Sequence, residues 1–302
     1  MFNLKNGTKL LVLLIVIIII LSVWFSVKPS GNRVWSDDQK VLSYAEFNDE
    51  NPNNILMYNI RIYNIRNFSY TSASEYTTHY YNKTVNLNDL NSVYYMVEPF
   101  SEWEGAAHTL LSFGFENDDM NDDINMSKQE YLVISVEIRK EKNEHFSALK
   151  GLFKQYELMY VIGDERDLIN LRANYRNDTV YFYPIKTTKE NMKKLFVDMI
   201  KRTNKLKNEP EFYKTITSTC TTNIVDHVNK IAPERVPFSF KILAPGYSDK
   251  HAYNIGLIDL SVNKNNPSMS FEEAREYFKI NQRARKAQFS DNFSEIIRGY
   301  NN

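Results

Sequence analysis

The sequence predicts an α+β fold: an antiparallel sheet with packed helices, following one N-terminal transmembrane helix. Three observations carry this. Short segments dense in Ile, Val, Tyr and Phe recur from about residue 55 to 185, several alternating apolar with polar as half-buried strands do. Past residue 187 the apolar spacing changes to three and four, the period of a helix. Before either region, "LLVLLIVIIIILSVWFSV" (Leu10 to Val27) runs 18 residues without a charge.

The apolar run comes first. At ~1.5 Å per residue it is ~27 Å long, enough for a hydrocarbon core. No A-x-A-like cleavage site follows; the next residues are "KPSGN". The expectation is a retained signal-anchor over 10–27, a cytoplasmic tail over 1–9 and an exported domain over 28–302. A cleaved signal peptide is the alternative. Residues 28–55, with "SDDQKVLSYAEFNDENPNN", read as linker and loop.

Strands follow. "ILMYNIRIYNIRNFSY" (55–70) and "VYYMVEPF" (93–100) are strand-like. "AAHTLLSFGFE" and "EYLVISVEIRK" form the clearest pair, across an Asp/Asn-rich loop. "YELMYVIG" and "TVYFYPI" add two more, with the polar "DERDLINLRANYR" between them. Then Met192, Leu195, Phe196, Met199, Ile200 and Leu206 mark an amphipathic helix, and "TITSTCTTNIVDHVNKI" starts another. A helix is expected at "SFEEAREYFKINQRARKAQ" in a loop-rich tail.

Lys plus Arg equals Asp plus Glu at 37 each, and no basic run interleaves with aromatics, which argues against a nucleic-acid partner. One cysteine in 302 residues excludes an internal disulfide. That residue, Cys220, follows the cap residues Ser218 and Thr219, so it falls in the first turn of a helix. There the positive end of the helix dipole favours the thiolate, and unpaired N–H groups can hold an oxyanion. A free cysteine is also a common small core residue, and both readings stay open on spacing alone.

A nucleophilic thiol needs a base. His227 is seven residues on, ~10.5 Å along the helix, beyond a direct hydrogen bond. His79, His145 and His251 sit in polar surroundings. His108 opens the strand "HTLLSFGF", and a hairpin in which Phe115 pairs with Glu130 or Tyr131 puts it opposite Glu137 or Ile138. In the first register, paired numbers sum to 245 and His108 faces Glu137, which fixes an imidazole tautomer. Tyr131, Val133, Ser135, Glu137 and Arg139 share that face. Glu137 as the partner of an arginine is the competing role.

"WEGAAHTLLSFGF", "VISVEIRKEKNE", "LKGLFKQYELMYVIGDERDLINLRANYR", "VYFYPI", "PEFYKTITSTCTTNIVDHVNKIAP" and "LAPGYSDKHAYNIGLID" together resemble the Lnb N-terminal periplasmic domain family of bacteria. The order of a histidine opening a strand, an acidic strand residue and a cysteine starting a helix is similar to circularly permuted papain-like proteins, the NlpC-like and lecithin retinol acyltransferase-like groups. The resemblance implies a periplasmic domain on the inner membrane. The papain-like order implies a cysteine hydrolase or acyltransferase, with Cys220, His108 and Glu137 catalytic; no cofactor is expected, and no metal, since no compact ligand cluster accompanies His108 and Cys220. A non-catalytic accessory or chaperone-like domain is the alternative. The substrate class, small molecule, peptide or lipid, stays open. Arg139, Arg66 and Arg166 are candidate binding residues, and the balanced charges of "DERDLINLR" equally suit an internal ion-pair network. The loop 117–129 is longer than the family's usual turn. Its Asp119, Asn121, Asp123, Asn125, Ser127 and Glu130 have the spacing of a calcium loop. Ile124 occupies the glycine position, so a solvated acidic loop is expected.

Overall fold

A computed structural model describes residues 4–47, 59–117, 128–144, 154–215, 217–232 and 235–299. The candidate calcium ligands from Asp119 to Ser127 and the histidine His145 lie outside them. Residues Leu4–Ser26 form helix α1. Its side chains from Leu11 to Ile19 are exposed, and those of 4–8, 10, 20, 21 and 23–25 are not described. Counted over described residues alone, no helix is long and apolar enough to cross a membrane.

The body is a mixed α+β structure built on one sheet. Its strands are β1 (Tyr44–Phe47), β2 (Asn59–Arg66), β5 (Tyr80–Asn86), β6 (Leu90–Pro99), β7 (Ala107–Asn117), β8 (Lys128–Arg139), β9 (Glu157–Asp164) and β10 (Tyr181–Pro184). The order is β1-β2-β9-β8-β7-β6-β10, with β5 also on β2. A separate hairpin joins β3 (Ser69–Tyr70) to β4 (Tyr76–Thr77). All pairs are antiparallel except β2 with β9, which meet only at Arg66 and Gly163. β7 and β8 pair with numbers summing to 245, as in Phe115 with Glu130. That ladder begins at Leu110 and Ser135, although both strands continue beyond it. The sheet is therefore split between β7 and β8 at the end where His108 and Glu137 lie.

Both faces are covered, which is why β9 is buried along nearly its whole length. One face packs α3 (Lys189–Asn208) and α4 (Cys220–Ile231). The stripe expected on α3 is the buried one: Met192, Leu195, Phe196, Met199, Ile200 and Leu206. Phe196 meets the rings of Phe113 and Phe115 edge-on at 5.1 and 5.3 Å. The other face packs α2 (Glu165–Asn170), its π-helical continuation Leu171–Tyr175, and the last two helices of the tail.

Two local expectations are corrected. The polar stretch after α1 is docked on the body over 30–47. Main-chain N–H groups of Ser30 and Gly31 donate to the buried Glu157 carboxylate, and Ala45 N–H donates to Asn204. Polarity reads as linker in sequence, but here the polar groups are satisfied by the body itself. The "DERDLINLRANYR" segment, left without a secondary structure in the sequence, is helical, and its balanced charges form the internal ion-pair network weighed for it, through Glu165, Asp167 and Arg172. The tail helix is two helices, α7 (Phe271–Tyr277) and α8 (Asn281–Ala287). The chain breaks between them so that Phe278 and Ile280 can bury fully and bond the main chain of β10 and Val180. Short helices α5 (Phe240–Leu243), α6 (Ser248–Asn254) and α9 (Phe293–Arg298) complete the tail.

Candidate active site: a cysteine and a histidine at the split end of the sheet

Cys220 is the first residue of α4. Thr219 caps the helix: its hydroxyl accepts from Thr222 N–H at 3.2 Å, and Thr222 Oγ1 accepts from Thr219 N–H at 2.7 Å. This reciprocal cap satisfies Thr222, while the N–H groups of Cys220 and Thr221 still lack an intrahelical acceptor, as helix geometry dictates. Two further contacts set where the helix starts. Thr221 Oγ1 lies 3.0 Å from Thr109 Oγ1 of β7. His227, lower on α4, pairs with Asp198 of α3 at 2.7 Å and with the Tyr160 hydroxyl of β9 at 2.8 Å. His227 thus holds the helix in place, away from the thiol.

His108 projects at the mouth of the split. Its Nε2 is 2.8 Å from Ser135 Oγ and 3.2 Å from Glu137 Oε1, and the Ser135 hydroxyl donates to the same Glu137 oxygen at 2.7 Å. With Nε2 committed to these groups, Nδ1 is the nitrogen left for the sulfur. Glu137 Oε1 also accepts from Arg172 Nη2 at 2.8 Å, and Arg172 Nε donates to Glu98 at 2.7 Å. The two roles weighed for Glu137, partner of the imidazole and partner of an arginine, are therefore both filled. The arginine is Arg172.

The electrostatics follow from this chain of contacts. Burial alone would raise the Cys220 thiol, but hydrogen bonding and charge from His108, with hydrogen bonds from Thr109, outweigh it and lower the pKa below the ordinary 9.0. Burial alone would lower His108; the Glu137 charge and the bond to Cys220 reverse this and raise it to about 10. Glu137 stays well below the usual carboxylate range, because His108 and Arg172 overcome its burial. The arrangement favours a thiolate beside an imidazolium.

Cys220, His108, Glu137, Arg172 and Arg66 line one cleft of about 260 Å³. The candidate binding arginines are placed differently from one another. Arg66 is in the cleft wall but grips Asp167 through two bonds of 2.8 Å, with Tyr70 donating to the same carboxylate at 2.7 Å. Arg139 is outside the cleft lining: it donates to the carbonyls of Gln39 and Lys40 and stacks on Trp35 at 4.1 Å. Arg166 pairs with Asp291 at 2.6 Å on the surface. Sequence reasoning did not assign Glu98, Thr109 or Ser135 a role. Ser135 was in reach of the strand alternation that singled out Glu137; Glu98 and Thr109 carried no such signal. Among the described residues no group of three or more His, Cys, Asp or Glu could hold a metal ion.

The cleft brings together a cysteine at a helix start, an imidazole at a strand start and a carboxylate behind it. Residues 76–246 match the Lnb N-terminal periplasmic domain, and the chain belongs to that family, a family of periplasmic domains. The match includes His108, Glu137, Arg172 and Cys220. No curated protein and no solved structure matches the chain.

Proposed function

We propose that this protein is a membrane-anchored periplasmic thiol hydrolase or acyltransferase, acting on an amide, ester or thioester. The observation that carries the reading is geometric: Cys220 at the start of a helix and His108, held by Ser135 and Glu137, line one cleft. Its order along the chain, strand histidine before helix cysteine, is that of a permuted papain-like core.

The chemistry runs as follows. The Cys220 thiolate attacks the carbonyl carbon, and the carbonyl electron pair moves to oxygen, where Cys220 and Thr221 N–H groups receive it. The tetrahedral species collapses, the bond to the leaving amine, alcohol or thiol breaks, and His108 gives that group its proton. A thioester on Cys220 remains. Neutral His108 then takes a proton from water or an acceptor nucleophile, which attacks the thioester and releases the thiolate. Glu137 holds the imidazole and its charge throughout.

Anchoring by residues 10–27 in the inner membrane, with 1–9 in the cytoplasm and 28–302 in the periplasm, belongs to the same proposal. It is supported by the uncharged run and by the exposure of Leu11 to Ile19 on α1. At ~1.5 Å per residue the 23-residue helix is ~34 Å long.

The test is alkylation of the native full chain by iodoacetamide across pH. Cys220 should react at neutral pH faster than a free model thiol. His108→Ala should slow it about tenfold for each unit by which the thiol pKa rises. Cys220→Ser should fold and take no label. Native protein that is not alkylated in either background would leave the accessory-domain reading instead.

A further inference from the structure

The segment joining α1 to the body is short, and its docking point is at the cleft end of the sheet. α1 ends at Ser26, and Ser30 N–H already donates to Glu157 Oε1 at 2.9 Å, with Gly31 N–H following at 3.1 Å. Four residue steps span at most ~14 Å. Glu157 is 1% exposed, so this is a buried attachment. Beyond it, Trp35 Nε1 donates to Gly31 O at 3.1 Å, and Arg139 clasps the carbonyls of Gln39 and Lys40. The chain is therefore strapped down from residue 30 to residue 40.

Glu157 opens β9 and pairs with Arg139, near the end of β8. Glu137 is two residues further in on β8, and His108 is the second residue of β7, so Glu157 and His108 lie at the same end of the sheet. The neighbouring β6 ends there too, with Pro99 against Ala107. The β6–β7 loop projects from this end and carries Phe100, which is 45% exposed and lines the cleft, and Trp103, which is 61% exposed. Trp103 is not loose: a Cβ on Gly105 would come within 2.3 Å of its ring, so the indole lies over that glycine. Gly246 N–H donates to Gly105 O at 3.1 Å, fixing the loop to a segment with two more exposed rings, Phe238 and Phe240.

We infer that the cleft end of the domain rests on the bilayer that holds α1, with Phe100 and Trp103 in the headgroup region. This rests on the anchoring reading proposed above. The short strap keeps the docking point near the helix end whatever direction α1 takes. Half-exposed aromatic rings on a fixed loop suit the interface, where an indole keeps its N–H wet and its ring apolar. The cleft then opens beside the headgroups and away from bulk periplasm.

Tryptophan quenching separates this inference from its premise. The three tryptophans are Trp24 in α1, Trp35 in the strap and Trp103 in the loop. The full chain is placed in phosphatidylcholine vesicles whose acyl chains are brominated near the headgroup or near the bilayer centre. Quenching that Trp24→Phe removes reports the anchor. In Trp24→Phe protein, near-headgroup bromine should still lower emission, and adding Trp103→Ala should remove that loss. A flexible insertion of about 20 Gly/Ser residues between Val27 and Lys28, reaching ~25 Å on average, should weaken it. Trp24 quenched with no Trp103-dependent loss would overturn the docking and leave the anchor standing. No quenching of Trp24 would overturn both.

Discussion

At the residue scale, the active-site reading turns on what lowers the pKa of a buried thiol. Cys220 is 6% exposed, which on its own would favour the neutral form. Hydrogen bonding and charge from His108 oppose that, and His108 is held by Ser135 and Glu137. Glu137→Gln keeps the shape and removes the charge, so the His108 pKa should fall from about 10 towards its ordinary 6.5, read by NMR titration of the imidazole. The thiol pKa should rise in step, and neutral-pH alkylation should slow. An imidazole titration unchanged by the substitution would remove Glu137 from the site. Stability has a defined sign. A raised histidine pKa stabilises the fold fully below about 6.5, and that contribution is lost as pH rises towards 10. Glu137→Gln should flatten this limb of the thermal stability profile. Cys220 and His108 were recognisable in the sequence because a helix cap and a strand entry are local signals. Arg172 was visible only as one of several charges in a balanced run, since nothing local says which carboxylates it will join.

At the scale of elements, α4 is the part that must be placed. Its cap at Thr219, its bond to Thr109 and its pairing through His227 and Asp198 fix the start, the tilt and the flank of one helix. Thr219→Ala removes the cap acceptor and should cost about 1 kcal/mol, measured by chemical denaturation. The same change frays the turn that carries Cys220, so alkylation should slow more than a stability loss of that size explains. Normal reactivity in the variant would show that the cap serves stability alone. The split between β7 and β8 matters equally. Continued pairing past Leu110 and Ser135 would close the gap that the thiol approaches, so the hairpin's fraying is what joins a helix on one face to a histidine directed across the sheet end.

For the whole molecule, the last two helices, α8 and α9, act as a clamp over the second face of the sheet. Arg298 on α9 bonds both oxygens of Glu165, at 2.7 and 2.5 Å, and sits over the rings of Tyr131, Tyr94 and Phe182. Glu165 is fully buried and also accepts from Ser112 of β7. Arg298→Met leaves that carboxylate unpaired inside the protein and should destabilise by about 3–5 kcal/mol, seen as a lower melting temperature and earlier proteolysis of the tail. A melt unchanged by the substitution would mean the tail folds independently of the sheet. Because Glu165 and Arg172 lie on one helical segment, loosening the clamp should also disturb the Glu98–Arg172–Glu137 chain behind His108.

The sequence by itself determined what depends on near neighbours. Periodicity specified the strands from β6 to β10 and the buried stripe of α3, and the charge-free run marked an N-terminal helix, which begins earlier, at Leu4. The turn chemistry around Thr219 put Cys220 at a helix start, and hairpin arithmetic narrowed the position opposite His108 to Glu137 or Ile138, between which the register of the folded sheet chose. The tertiary structure alone decided what depends on residues far apart in the chain. It placed β9 between β2 and β8, put the helix of Cys220 beside the split, and inserted Arg172 between Glu98 and Glu137. It also bound residues 30–40 across the cleft end of the sheet. The physical reason is one of range. Local conformation is set by each residue's own sterics and hydrogen bonds, whereas the partner of a buried charge or strand edge is chosen by which pairing leaves no polar group unsatisfied in the whole fold.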